Sequence, residues 1–241
     1  MNLYQHFDKY VNNYIKFGNN IDKLELKLEH SKIVSDICVI LAKSLNFTKE
    51  EIEIAKLIGL YHDIARFEQL SKFNTYHDDD NFEHGLEGSI IINNLDIENS
   101  LKELMSICTF EHNKIKITKE YDDYTLKFIK LIRDADKLDI FRVYFKYYKG
   151  NMTMPGYEPI LEISDDVVEC IENEQVVDYN KLKTVLDFKC IQFSWIYDIN
   201  YPKTLELIKE KDYIRKLYLD LPESENRERI YQKCVKILEK S

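Results

Sequence analysis

Thr48-Lys49-Glu50-Glu51-Ile52-Glu53-Ile54-Ala55-Lys56-Leu57-Ile58-Gly59-Leu60-Tyr61-His62-Asp63-Ile64-Ala65-Arg66 combines a helix start with a pair of metal-ligand side chains. Thr48 with Glu51 three residues on is a capping box and predicts a helix beginning there. Ile52, Ala55 and Ile58 recur at helical spacing and carry that helix on to His62. His62 shares a face with Ala55, Ile58 and Ala65, so burial is expected for it. Imidazole and carboxylate side by side suit a hard-to-borderline divalent cation. A lone His-Asp pair is a weak signal, and its weight depends on what else the chain supplies. Gly59, one turn before Asp63, reads as room left beside that carboxylate. Arg66, one turn after it, reads either as an ion-pair partner of Asp63 or Glu68 or as a phosphate clamp.

Working outward, the flanking helices supply further donors. A helix over about residues 22–45 places His30 at the head of the stripe Ile33, Val34, Ile37 and Leu41. A core histidine satisfied by its neighbours is the plainer reading of His30 alone. His84 opens a helix whose inner face continues through Gly88, Ile91 and Leu95. The next helix, from about Glu98, carries Leu101, Leu104, Met105 and Cys108 toward His112 at its C-terminal end. A helix over about Asp122 to Tyr148 offers Asp136 on the face of Phe128, Ile132, Ile140 and Val143. Asp134, with Lys127, Lys130 and Lys137 near it, reads as a surface ion-pair partner, and Asp139 as support for a ligand or for Arg142. An inward carboxylate needs a compensating cation. One divalent ion or a close pair would satisfy His30, His62, Asp63, His84, His112 and Asp136 together. The polar stretch from Phe73 to Phe82 is a loop, read as a lid or entry segment or as plain solvated chain, with His77 exposed in it.

Composition bounds the rest. With 44% hydrophobic and 32% charged residues the chain is globular, and only 6 Gly and 4 Pro leave few breakers for strands and hairpins. An all-α fold is expected. The five cysteines form no Cys-x-x-Cys pair, which fits buried thiols in a reducing compartment rather than a disulfide framework or a thiolate zinc site. The segment from Met1 to Phe17 has no apolar core and no run approaches the roughly 20 apolar residues of a membrane span, so a cytoplasmic location is expected. A net charge of -9 argues against a nucleic-acid module, which needs a basic stripe, but leaves room for a small phosphorylated substrate beside a metal. The segment 149–159, with Gly150, Pro155, Gly156 and Pro159, is the clearest break. Helices are predicted after it over Ser164 to Glu174, Asp178 to Asp198, Pro202 to Leu219 and Glu223 to Glu239. One domain over residues 1–241 is the simpler reading, with a core at about 22–148 and a C-terminal helical extension at about 160–241.

The order His30, His62-Asp63, His84, His112 and the run Asp134-Ala135-Asp136-Lys137-Leu138-Asp139 resembles the HD-domain superfamily of metal-dependent phosphohydrolases, and the continuation Arg66-Phe67-Glu68-Gln69 looks like an uncharacterised bacterial branch of it. The resemblance covers about residues 28–145 and implies an HD-type helical bundle. It implies that His30, His62, Asp63 and Asp136 bind metal, and that His84 and His112 complete a second site in two-metal members. It implies one or two divalent ions (Mn, Ni, Co, Zn, Mg or Fe) activating a water, with Asp63 bridging them or steering that water. Arg66 stands where many members carry a Lys that touches substrate phosphate. The implied reaction is hydrolysis of a small phosphorylated, nucleotide-like molecule, with Asp63 and Arg66 as catalytic residues. Two alternatives share the ligand order: a di-iron oxygenase, and a non-catalytic module that senses a nucleotide. A third, an all-helical domain whose histidines never meet, makes the opposite geometric prediction.

Overall fold

The computed structural model describes residues 2–17, 20–153 and 156–240; Pro155, one of the breakers named above, lies outside them. The described residues form α-helices, short 3-10 turns and loops. They contain no β-strand, only two isolated bridges, Asp79 with Phe82 and Glu158 with Thr184. The fold is all-α, as the scarcity of Gly and Pro predicts. The chain divides into two compact units, Met1–Asp139 and Ile140–Ser241.

The first unit contains α1 (Leu3–Phe17), α2 (Ile21–Ser44), α3 (Lys49–Tyr61), α4 (Ala65–Phe73), α5 (His84–Asn93), α6 (Asn99–Glu111) and the greater part of α7 (Asp123–Tyr147). Thr48 and Glu51 close the capping box reciprocally. Thr48 N donates to Glu51 Oε2 at 2.8 Å and Glu51 N to Thr48 Oγ1 at 3.2 Å, which satisfies two of the helix's orphan donors. Phe7, Val34, Leu41, Ile58, Phe67, Ile92, Met105 and Phe128 are buried in the core. Each such side chain contributes roughly 1.5–3 kcal/mol by leaving water.

Gly59 serves a different purpose from the one its position beside Asp63 suggests. A Cβ there would lie 2.7 Å from Ser35 Cα and 2.9 Å from Cys38 Sγ, so the missing side chain lets α3 lie against the backbone of α2. Asp134 is also corrected: it is fully buried, not a surface partner. Phe128, Ile129, Leu131, Ile132, Arg133 and Ala135 are buried with it. At about 100° per residue these positions point in every direction around α7, so this stretch has no solvent face.

The second unit holds the end of α7, then α8 (Asp165–Glu172), α9 (Val185–Ser194), α10 (Pro202–Glu210), α11 (Tyr213–Asp220) and α12 (Glu225–Lys240). The single helix predicted from Asp178 to Asp198 is instead a 3-10 turn at Tyr179–Lys181, then α9, then a second 3-10 turn at Trp195–Asp198. The cause is another capping box. Thr184 and Asp187 restart the chain, and Asp187 also accepts from Ser164 N at 2.8 Å. The helix predicted from Pro202 to Leu219 is likewise broken into α10 and α11, where Asp212 adopts a left-handed φ of 54°. Asp is among the few non-glycine residues that tolerate that conformation. The buried Lys189 donates to Asp220 Oδ2 at 2.7 Å, and Asp220 also accepts from Tyr144 OH and, at 2.8 Å, from Gly150 N.

Candidate metal centre

Two of the histidines are aimed by the ends of the helices that precede them. His62 and His112 are the residues that cap α3 and α6 at their C-termini, where the last backbone carbonyls have no partner in the helix. His62 Nδ1–H donates to Gly59 O at 2.7 Å, and His112 Nδ1–H donates to Thr109 O at 2.6 Å. A carbonyl only accepts, so the Nδ1 of each ring carries the proton and its Nε2 lone pair faces the other way. A tight turn follows His62, with Ile64 N on Tyr61 O at 3.0 Å and Arg66 N on Asp63 O at 2.9 Å, before α4 begins. That turn puts Asp63 beside His62 at the same place in space.

The other two rings are oriented by carboxylates. His30, within α2, donates from Nδ1 to Asp139 Oδ2 at 2.6 Å. His84, the first residue of α5, donates from Nδ1 to Asp78 Oδ2 at 2.5 Å. All four rings therefore turn Nε2 inward. His30 Nε2 and His62 Nε2 lie 3.2 Å apart, and so do His84 Nε2 and His112 Nε2.

Asp63 stands between the two pairs with one oxygen toward each. Its Oδ2 is 3.5 Å from His30 Nε2 and 3.6 Å from His62 Nε2; its Oδ1 is 3.4 Å from His84 Nε2 and 3.6 Å from His112 Nε2. Asp136 Oδ1 completes the first group at 3.1 Å from His30 Nε2 and 3.5 Å from His62 Nε2. The donors of His30, His62 and Asp63 lie within 4.8 Å of one another, as do those of Asp63, His84 and His112, and those of His62, His112 and Asp136. All six ligand candidates named from the sequence thus meet in one cluster, and the reading in which the histidines never meet is set aside.

The electrostatics favour neutral rings at His62 and His84 and ionised carboxylates at Asp63 and Asp136. Burial lowers the His62 pKa against the pull of Asp63 and Asp136. Burial and Arg66 bring His84 down to about 4 although Asp78 and Asp63 oppose them. At His30 burial and Lys27 push down, but Asp136 and Asp139 prevail and the net shift is upward. Asp63 and Asp136 resist the upward push of burial and are held well below the usual carboxylate range, Asp63 by Lys27 and the histidines, Asp136 by His30 and His62. At His84 and His112 two imidazole nitrogens and a carboxylate oxygen converge within 3.2–3.6 Å while each ring's Nδ1 is engaged elsewhere. Converging imidazole and carboxylate donors of this kind fit a divalent metal.

Three residues of the site escaped the sequence reading or were only glimpsed in it. Lys27 donates to Asp63 Oδ2 at 2.5 Å from the more open side of the cluster, its side chain 18% exposed against 4% for Asp63. Its signal was available: it lies three residues before His30 on the same helix face. Asp78 sits in the polar loop and accepts from both His84 and Arg66 Nη1, the latter at 2.9 Å. Nothing separates it in sequence from Asp79 and Asp80, which are exposed. Asp139, read as possible support, holds His30. Arg66 spends Nη1 on Gln69 Oε1, Tyr76 O and Asp78 Oδ1, while Nη2 lies 3.3 Å from His84 Nε2 and Nε 3.7 Å from Asp63 Oδ1. His77 is exposed, as expected.

The family model for the HD domain matches residues 28–140, the stretch that runs from just before His30 to just beyond Asp139. The segment 28–140 is an HD domain. No curated protein and no solved structure matches it. HD domains bind divalent metals and are typically metal-dependent hydrolases, and the buried His/Asp cluster of this HD domain could hold such an ion. Among the described residues no helix is long and apolar enough to cross a membrane.

Proposed function

We propose that this HD domain is a metal-dependent phosphohydrolase acting on a small phosphorylated, nucleotide-like substrate. The observation that carries the reading is Asp63, whose two oxygens face two separate pairs of imidazole nitrogens. His30, His62, Asp63 and Asp136 would hold one ion, and Asp63, His84 and His112 a second. Bound there, divalent ions lower the pKa of a water and neutralise charge on phosphoryl oxygens.

The protein's own side chains supply the remaining roles. Asp139 and Asp78 fix the tautomers of His30 and His84, and the carbonyls of Gly59 and Thr109 fix those of His62 and His112. Asp63 orients the attacking water with whichever oxygen lone pair stays free. Lys27 stands on the open side, where an ammonium meets an entering phosphate. Arg66 presents Nη2 and Nε toward the cluster for the same anion while Nη1 keeps the loop at Tyr76 and Asp78 in place.

The test is elemental analysis of the purified protein beside His62→Ala and Asp63→Ala, followed by a phosphoester and nucleotide screen in the metal found. The expected result is one or two Mn, Ni, Co, Zn or Mg ions per chain, with metal and turnover both lost in the variants. Full activity in either variant, or no metal after reconstitution, overturns the reading. Two Fe per chain with oxygen uptake and no hydrolysis would replace it with the oxygenase.

A further inference from the structure

Tyr76 lies in the loop between α4 and α5 and is fixed to both of the helices that bring cations to the metal centre. Its hydroxyl donates to Lys23 O in the first turn of α2 at 2.7 Å, and its carbonyl accepts from Arg66 Nη1 at 2.5 Å. Gln69 of α4 holds the next residue, its Nε2 donating to His77 O at 3.0 Å. The ring so placed has Lys27 Nζ 5.3 Å and the Arg66 guanidinium carbon 6.0 Å from its centroid. Both cations are thus within reach of a cation–π attraction to one aromatic ring.

The same two cations meet the two oxygens of Asp63: Lys27 Nζ is 2.5 Å from Oδ2 and Arg66 Nε 3.7 Å from Oδ1. Those oxygens also face the imidazole pairs, so Lys27 competes with any bound ion for Oδ2. Without that oxygen, an ammonium and a guanidinium close together repel each other and the ion. An aromatic face suits them in that state. Its quadrupole attracts cations, yet the ring carries no formal charge to repel an entering phosphate. A carboxylate in the same place would do the first and not the second.

We propose that Tyr76 is a positioning residue: its ring keeps Lys27 and Arg66 together beside the metal centre, so that both meet one phosphoryl anion. The ring is the part that acts, and the hydroxyl bond to Lys23 aligns it. The inference rests on the reading of the centre as a metal site that handles phosphate, and goes beyond it by giving a role to a residue outside the ligand set.

The test uses the full-length protein, loaded with the metal that elemental analysis finds and titrated with inorganic phosphate in a calorimeter. A cation–π contact shifts an equilibrium by roughly two- to fivefold when exposed and about thirtyfold when desolvated. Tyr76→Leu is therefore expected to bind phosphate about tenfold more weakly, with metal content and metal affinity unchanged. Tyr76→Phe, which keeps the ring, should stay within about threefold of wild type. In a Lys27→Gln background, Tyr76→Leu should cost less than in the wild type, because one of the cations it holds is gone. Wild-type phosphate affinity in Tyr76→Leu overturns the proposal. So does an equal loss in Tyr76→Phe, which would give the role to the hydroxyl, or a loss of metal along with phosphate, which would make Tyr76 a support for the ligands. Tyr76-dependent phosphate binding with no hydrolysis of any phosphoester would uphold Tyr76 and overturn the phosphohydrolase reading instead. No phosphate binding by the loaded wild-type protein would overturn both.

Discussion

Asp63 is the residue on which the site turns, but its geometry depends on neighbours that bind nothing themselves. Asp78 is the sharpest case. It accepts from His84 Nδ1–H and from Arg66, so it fixes both the ring that faces Asp63 Oδ1 and the loop above it. Burial would raise its pKa, yet the His84 hydrogen bond and the nearby charges of His84 and Arg66 hold it well below the ordinary carboxylate value. Carboxylates that orient a ligating imidazole typically change metal affinity by 10–100-fold when removed. Asp78→Asn is therefore expected to weaken binding at the His84/His112 pair by about that factor and to leave the His30/His62 group nearly intact. A metal titration followed by calorimetry would separate the two, as one tight step retained and one weakened. Equal loss at both would show that the cluster behaves as a single site.

At the scale of the element, α3 leads directly into His62 and Asp63 and is defined at both ends. Its start depends on the reciprocal bonds of Thr48 and Glu51, and Thr48→Ala is expected to lower stability by about 1 kcal/mol in urea unfolding. Glu51 is also paired with Lys127; that hydrogen bond and the Thr48 backbone N–H hold its carboxyl below the ordinary value. A depressed carboxyl adds stability above its unfolded pKa of about 4.3 and loses it as pH falls through the folded value. The stability gap between wild type and Glu51→Gln should therefore be present at pH 7 and close below about pH 4. A gap that persists unchanged into acid would assign it to packing instead. Gly59 sets how closely α3 approaches α2. Gly59→Ala adds about 1 kcal/mol of helix propensity. It also forces a methyl to 2.7 Å from Ser35 Cα, where overpacking costs about 1–3 kcal/mol. A lower Tm is expected, together with weaker metal binding because Gly59 O orients His62. A raised Tm would mean that α2 yields without cost.

At the scale of the whole molecule, a cation held by buried acids and imidazoles links metal binding to folding. Metal binding that favours the folded chain should raise Tm in a concentration-dependent way, by about 2.7 kcal/mol of stability at a hundredfold excess over Kd. Stripping with a chelator and reloading, followed by calorimetric melting, would read this directly. A melting curve indifferent to metal would mean that the ion also binds the unfolded chain or does not bind at all. The division into two units matters for this measurement. The metal-centre residues all fall within Met1–Asp139, so the metal-dependent transition is expected to belong to that unit.

Periodicity and capping made much of this legible without coordinates. The helices α2, α3, α5, α6 and α7, the capping box at Thr48 and the inward faces of His30, His62, His84, His112 and Asp136 follow from local chemistry, because helical spacing alone decides which side chains share a face. The helix breaks at Thr184 and Asp212 were also written locally, in a second capping box and a residue able to adopt positive φ, but an uninterrupted apolar pattern obscured them. What the chain order could not supply is which partner each polar group would meet. Gly59 meets Ser35, Asp134 lies on a stretch of α7 enclosed from all sides, and Asp78 alone of three consecutive aspartates reaches His84. Those outcomes depend on distances between residues far apart in sequence, so only the packing of helix against helix and loop against helix decided them.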